Sequence, residues 1–319
     1  MMTWLMPRPA RAIIGHYTAG VPNTHDFFVP TEEGLFFALY TYIYHTDSFR
    51  DRNGNPVDHL IVPPRLRPPS TLPLDVTLNQ VALSPAILWV PHFTLLGARY
   101  GAFLSLGAAN ANVSAAVEVI NRGKQFETGW GFADVYVQPL WLQWSLWRLD
   151  LAASYGFYAP TGRFSVGATD NIGLGFWTQQ WQVAAAFYCD EARTFSLIMV
   201  QTWEYNSKVS GQDLRAGPRL SLNWAISKIW LDGMLETDVL GYDQWQVGFD
   251  QGPDQSRLLS GVLDSVHAAG LQLGIPKWGV SLKYLHEFEA RQRFQGQIVT
   301  FTFGLPLDPL VDLVKGLVE

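Results

Sequence analysis

The chain has 319 residues, with charged residues at 16 %, aromatics at 14 % and a formal net charge of −6. A soluble protein carries about 25 % charged residues, so this chain lacks the polar groups to cover a soluble surface. Its mean hydropathy, close to zero, is too low for a polytopic helical membrane protein, and its acidic balance excludes a nucleic-acid partner, which needs a basic face.

Intermediate hydropathy with 13 Trp, 12 Tyr and 19 Phe is what alternation produces, every second residue being apolar. The single cysteine, Cys189, excludes an intrachain disulfide and a cysteine metal cluster. Val81–Ala98 and Tyr100–Val117 are long uncharged stretches that raise a helical hairpin as an alternative. Pro85, Pro91, Asn110 and Asn112 interrupt them, and the rest of the chain repeats every two residues.

Met1–Gly20 does not read as a secretory signal, because Arg8 and Arg11 follow the apolar stretch and Pro7 and Pro9 break it. An exported barrel needs a leader, so the sequence is expected to lack one or to start elsewhere. Met1–Glu33 carries His16, Tyr17, His25, Phe27 and Phe28, with Pro22 and Pro30 discouraging regular structure. Two placements are open: a plug in a barrel lumen whose aromatics meet a ligand, or a loose periplasmic arm.

Alternation then predicts twelve strands, at 34–45, 73–90, 97–118, 130–144, 147–158, 172–188, 193–206, 214–227, 229–245, 262–275, 278–290 and 295–305. In the fourth, Val135, Val137 and Trp141 oppose Asp134, Tyr136 and Gln138. In the eighth, Leu214, Ala216, Leu220, Leu222 and Trp224 oppose Arg215, Arg219, Ser221 and Asn223. In the ninth, Ile229, Leu231, Leu235 and Val239 oppose Asp232, Glu236 and Asp238; in the eleventh, Trp278, Val280, Leu282 and Tyr284 oppose Ser281, Lys283, Glu287 and Glu289.

The connections sort by length. Loops at Thr46–Leu72, Val119–Gly129, Ala159–Asn171, Asn206–Asp213 and Gln246–Gly261 alternate with a short link near Pro91–Leu96 and tight turns at Arg148–Leu149, Cys189–Ala192, Ser227–Lys228 and Pro276–Lys277. Short turns on one side and long loops on the other are the outer-membrane arrangement. It predicts an all-β fold, a closed transmembrane antiparallel barrel of about twelve strands in the outer membrane, with both termini periplasmic. Closure follows because every backbone group in hydrocarbon must be paired. Trp130, Trp144, Trp177, Trp181, Trp203, Tyr205 and Trp278 fall at strand ends, where interfacial aromatics sit.

Four segments, GHYTAG at 15–20, GFADVYVQPLWLQW at 131–144, YGFYAPTGRF at 155–164 and DNIGLGFWTQQ at 170–180, resemble the family involved in the meta-pathway of phenol degradation. The match runs from about Gly15 to Leu305. The resemblance implies an outer-membrane barrel transporter linked to catabolism of aromatic compounds. The chain departs from the usual pattern by running past Phe303 into DPLVDLVKGLVE, an expected amphipathic tail or disordered end.

Candidate lumen residues are Asp134, Gln138, Arg215, Arg219, Asn223, Asp232, Glu236, Asp238, Lys283, Glu287 and Glu289, either a selectivity constriction or a brace that fills a narrow barrel. Asp51, Asn53, Asn55 and Asp58 match no standard calcium loop, and no metal or cofactor is expected. The seven histidines form no H-E-x-x-H pair and no G-x-S-x-G occurs, so no enzyme is expected. The leading expectation is uptake of small hydrophobic or aromatic compounds. The alternatives are a general diffusion pore for hydrophilic solutes and a structural or adhesive barrel. The expected partners are outer-membrane lipid and lipopolysaccharide, a small apolar or aromatic ligand, and the outer-membrane assembly machinery.

Overall fold

The computed structural model describes residues 15–62, 70–117, 122–254 and 261–308. The strands are β1 (Gly34–Thr46), β2 (His59–Val62), β3 (Ser70–Val90), β4 (Thr94–Leu95), β5 (Ala98–Ser105), β6 (Ala108–Val117), β7 (Arg122–Glu127), β8 (Gly131–Phe132), β9 (Val135–Leu146), β10 (Leu149–Ala159), β11 (Thr178–Tyr188), β12 (Phe195–Asn206), β13 (Arg219–Trp230), β14 (Leu235–Gln246), β15 (Ser265–Ile275), β16 (Val280–Arg291) and β17 (Gln297–Pro306). Each wall strand pairs antiparallel with its chain neighbour, and β17 returns to pair with β1 from Phe36↔Pro306 to His45↔Gln297. Counting β5 and β6 as one interrupted strand, the wall is a closed barrel of twelve strands. Among the described residues no helix is long and apolar enough to cross a membrane, and the stretches weighed as a helical hairpin are strands.

The wall strands run long on one rim, where β3 and β6 extend beyond β1 and carry the short strands β2, β7 and β8. The connections at the opposite rim are short. We call these ends the long-loop rim and the short-turn rim. Outward positions are apolar along the wall, as at Met199, Val239, Leu271, Leu273 and Leu282. Exposed Trp177, Trp181 and Tyr205 gather near the long-loop rim, and Trp89, Trp147, Trp230 and Trp278 near the short-turn rim. Inward positions are small or polar. On β11 and β12 they include Ala184, Ala186, Gln180, Gln182, Thr202 and Glu204.

Three departures from simple alternation have local causes. Pro139 has no N–H for the ladder, and β9 takes an extra residue there: Gln138 faces Phe103 but Trp141 faces Gly101. The bulge reverses the parity, so Trp141, expected beside Val135 and Val137 on the outer face, is buried inside. On β16, His267 pairs with Glu289 and Ala268 with Glu287, leaving Phe288 as the extra residue. Glu289 is therefore turned outward, where Arg291 bonds it at 3.0 Å. The ladder between β13 and β14 continues through Ser227↔Asp238 and ends at Trp230↔Leu235. The turn thus lies at Leu231–Met234, not at Ser227–Lys228, with Leu231, Asp232 and Gly233 at positive φ, and Asp232 is exposed on it.

Strand starts at the long-loop rim fall about five residues later than alternation predicts, at Val135, Thr178 and Arg219. Residues before them form a loop core instead: Phe176, Leu214 and Ala216, read as strand from their alternation, pack with the loop residue Val209 against Phe164 and Leu174. Arg215 belongs to this loop, bridged to Lys208 and Gln251, and is exposed, not in the lumen. The Pro-rich stretch at 63–69, the tail at 309–319 and residues 1–14 lie outside the described residues.

Candidate functional site

The lumen is occupied by the chain's own N-terminal segment. From Gly34, which pairs with Val90 at the short-turn rim, the chain runs back through exposed residues 33–31, and residues 30 back to 15 then run inside the wall toward the long-loop rim. Tyr17, Phe27 and Phe28 are buried in the main apolar cluster with Ala184, Val200, Leu240, Val266, Leu285 and other inward residues. Gly15 and Gly20 are glycines for steric reasons. A Cβ on Gly15 would sit 2.5 Å from Glu204 Oε2 and 2.7 Å from Arg219 Cδ, and Gly20 combines φ +83 with Leu285 and Tyr242 below 3 Å.

Lumen side chains hold this segment along its length. At the short-turn end, His25 Nε2 lies 3.1 Å from Glu236 Oε1, and Thr24 donates its hydroxyl to Asp238 at 2.7 Å. Gln272 supports the same Asp238 carboxylate at 2.6 Å. Lys283 Nζ donates to the carbonyls of Val21 (3.2 Å) and Pro22 (2.7 Å). Midway, Asn223 accepts from the Gly20 amide at 3.3 Å and donates to the Tyr17 hydroxyl at 2.8 Å. Higher up, the Tyr17 amide donates to Glu204 at 2.8 Å.

Other inward polar groups brace the wall itself. Glu287 accepts from the hydroxyls of Tyr44 (2.8 Å) and Tyr242 (2.6 Å) and the Gly296 amide. Arg219 forms a buried pair with Asp264, bonding Oδ1 at 2.7 Å, and Arg293 approaches the same carboxylate at 3.5 Å. Gln138 accepts from the Tyr136 hydroxyl at 2.7 Å. The residues named from sequence therefore divide. Asp134, Gln138, Arg219, Asn223, Glu236, Asp238, Lys283 and Glu287 are buried, and Arg215, Asp232 and Glu289 are outside the lumen. Sequence reasoning missed Glu204, Asp264, Trp141 and Thr178. For Glu204 a signal existed: it is the one acidic residue of β12 and shares the parity of Thr202 and Ser196.

The tip of the segment, at the long-loop rim, is the most elaborated part. His16 Nε2 meets Asp134 Oδ2 at 2.8 Å and Nδ1 meets Thr178 Oγ1 at 2.6 Å. Thr178 gives its hydroxyl proton to Asn206 Oδ1 at 2.6 Å, while the Asn206 amide donates to the carbonyls of Ala216 and Gly217. The Thr178 oxygen is thus left to accept from His16, and both ring nitrogens face acceptors. Asp134 also accepts from the amides of Gly162 (2.8 Å) and Leu174 (2.7 Å), both on the 160–177 loop. Burial raises the Asp134 carboxyl's pKa, but the His16 hydrogen bond and these two amides outweigh it and hold the group below the usual carboxylate range. The Asp–His–Thr contact order is that of a hydrolytic triad. Thr178 is fully buried, however, and its proton is committed to Asn206, so it offers a substrate no nucleophile.

Among the described residues no group of three His, Cys, Asp or Glu is placed to hold a metal ion. In the loop weighed for calcium, Asp51 spends Oδ1 on the amides of Asn53 and Asn55 at 2.8 and 2.9 Å.

A closed antiparallel barrel of twelve strands with an apolar outer wall, aromatic rims and a polar interior is the outer-membrane barrel class. Residues 46–303 match the family model described as the MetA-pathway of phenol degradation, and the chain belongs to that family. The four segments that carried the resemblance meet in space at His16, Asp134, Tyr158, Gly162, Leu174, Phe176 and Thr178. Among solved structures, an outer membrane channel from Pseudomonas putida F1 is similar at 13 % identity and TM-score 0.63, over 89 % of this chain and 100 % of that one. The transport unit of the autotransporter AIDA-I from Escherichia coli follows at 10 % identity and TM-score 0.41, covering 89 % and 94 %. A FadL homologue from Pseudomonas aeruginosa has 10 % identity and TM-score 0.33, covering 85 % and 88 %. No curated protein matches the sequence.

Proposed function

We propose that this protein is an outer-membrane channel for uptake of small hydrophobic or aromatic compounds, plugged at rest by its N-terminal segment. Membership of a family named for phenol degradation supports the substrate class. The observation that carries the reading is the filled lumen. The cavity between Gly20–Phe27 and the wall at Val200, Asn223, Ala225 and Leu240 is about 20 Å³, the room of about one water molecule. A resident pore for hydrophilic solutes would need a continuous wet path. The polar groups that would line it are instead bonded to the plug, as at Glu204, Asn223, Asp238 and Lys283, or to one another across the wall, as at Glu287 and Arg219. In this reading the long loops face outward, both termini are periplasmic, and the wall meets lipid and lipopolysaccharide after insertion by the assembly machinery. The polar layer of lipopolysaccharide, not the hydrocarbon, is what slows apolar solutes.

The test is whole-cell uptake of a labelled alkylbenzene and a labelled phenol at limiting concentration, with and without the protein, beside a sugar of similar size. Faster entry of the aromatics alone is the expected result. Equal gains for the sugar would make the protein a general pore, and no gain for any of them would leave it a structural barrel.

A further inference from the structure

The His16 ring is held as a ligand is held. It stacks on Tyr158, with centroids 4.7 Å apart and planes at 18°, and Phe176 closes the slot edge-on at 4.9 Å and 74°. Asp134 and Thr178 meet its two nitrogens. The side chains of His16 and Asp134 are 5 % and 1 % exposed.

Every wall of the slot is fixed by something other than His16. Asp134 is held by the amides of Gly162 and Leu174, and Thr178 by Asn206. Tyr158 packs on Tyr136 at 4.5 Å, and Phe176 lies in the loop core with Val209 and Leu214. The walls belong to the barrel and its loops, while the occupant comes from a segment 118 and 162 residues away in sequence. Removing the ring therefore leaves the slot standing.

We infer that this slot is a binding site for a small planar aromatic ring bearing an edge hydrogen-bond donor, a phenol or a catechol, and that His16 is its built-in competitor. This rests on the reading of the protein as a channel for aromatic compounds. A phenolic O–H supplies to Asp134 Oδ2 the donor that His16 Nε2 now supplies. A bare hydrocarbon ring brings no donor to the buried Asp134 Oδ2 and Thr178 Oγ1 that His16 now serves, and a site built to bond a donor rejects the analogue that lacks it. An incoming ring enters only as His16 leaves, so occupancy of the slot and displacement of the plug's tip are one equilibrium.

The experiment uses the full chain in detergent, with barrel folding confirmed by heat-modifiable gel migration. His16→Ala empties the slot, and His16→Phe refills it with a ring that has no donor. Calorimetric titration with phenol, imidazole and toluene should give H16A binding of phenol and imidazole at least about tenfold tighter than of toluene. H16F should bind none of them. Equal affinity of H16A for phenol and toluene, or equal phenol binding by H16A and H16F, would overturn the site. Should H16A fail to fold, amide exchange of the wild-type protein reads the same competition. Phenol, and not toluene, should speed exchange at Tyr17 and Gly20, and no change with phenol overturns the proposal. These are binding measurements. Phenol binding without phenol uptake in cells would sink the channel reading and leave the slot, and uptake without binding would do the reverse.

Discussion

The indole of Trp141, on the barrel wall, donates a hydrogen bond of 3.1 Å to the carbonyl oxygen of Phe27, inside the lumen and 114 residues earlier in the chain. Both partners are buried, and Val29 packs on the same indole with Val90. The contact ties the lower half of the plug to a strand whose parity was reversed two residues earlier. Trp141→Phe keeps most of the packing and removes the donor, leaving a buried carbonyl unpaired at a cost of about 1–3 kcal/mol. Amide exchange should rise about tenfold or more across Phe27–Val29, while the ladder amides of β9 stay protected. Unchanged exchange at Phe27–Val29 would mean that the tether contributes nothing.

Gly20 sits at a close-packed point of the plug's path. A methyl there meets Leu285 Cδ1 at 2.7 Å and the Tyr242 ring at 2.9 Å, in a left-handed backbone conformation at φ +83. Gly129 also has positive φ, at +61, but a methyl there meets nothing within 4 Å. Gly129→Ala should therefore carry only the backbone term of about 1–2 kcal/mol. Gly20→Ala adds overpacking of about 1–3 kcal/mol, which the segment relieves by leaving the lumen. Planar-bilayer recordings should show ion current for G20A and a silent wall for G129A. Silence in both would mean that the segment tolerates the strain in place.

Much of the wall was legible in the sequence, because a two-residue repeat and an alternation of loop lengths are forced by lipid on one side and closure on the other. Arg219, Asn223, Glu236, Asp238, Lys283 and Glu287 are buried, on the face that parity assigns them. Parity failed wherever one residue was added. Pro139 turned Trp141 inward, and the bulge at Phe288 turned Glu289 outward. The sequence around Arg215 alternates like a strand but folds as a loop core around Phe176. The His16 slot was not legible as geometry, since His16 lies more than a hundred residues from the residues that wall it in. Its motifs were nevertheless the ones that carried the family resemblance.

The outer wall can be tested for lipid contact by charge. Leu271 lies mid-strand on β15 and is 61 % exposed, while Leu231 lies in the turn between β13 and β14 and is 74 % exposed. By exposure in water, Arg at either site is harmless. In a bilayer, Leu271→Arg costs about 2–4 kcal/mol at the midplane and Leu231→Arg about 0–1 near an interface. Urea titration of folding into phospholipid vesicles should separate the two variants by that margin. Equal stability would place Leu271 outside the hydrocarbon.

The plug's tip is also expected to respond to acid. The Asp134 carboxyl lies below its ordinary range because the His16 hydrogen bond and the Leu174 and Gly162 amides outweigh the opposing effect of burial. A carboxyl lowered by folding contributes stability that is complete above its unfolded value of about 3.9. That contribution is lost as pH falls through the unfolded value to the lower folded one. Protonation removes the charge that orders His16 and the 160–177 loop together, so acidifying the long-loop side should unpin the tip. In planar bilayers, wild-type current should stay low at neutral pH and rise reversibly only below about pH 4. Asp134→Asn keeps the shape and takes up no proton there, so its current should be higher at neutral pH and lack the acid step. If the acid step survives in D134N, another carboxylate controls the tip and the pin at His16 is not what closes the lumen.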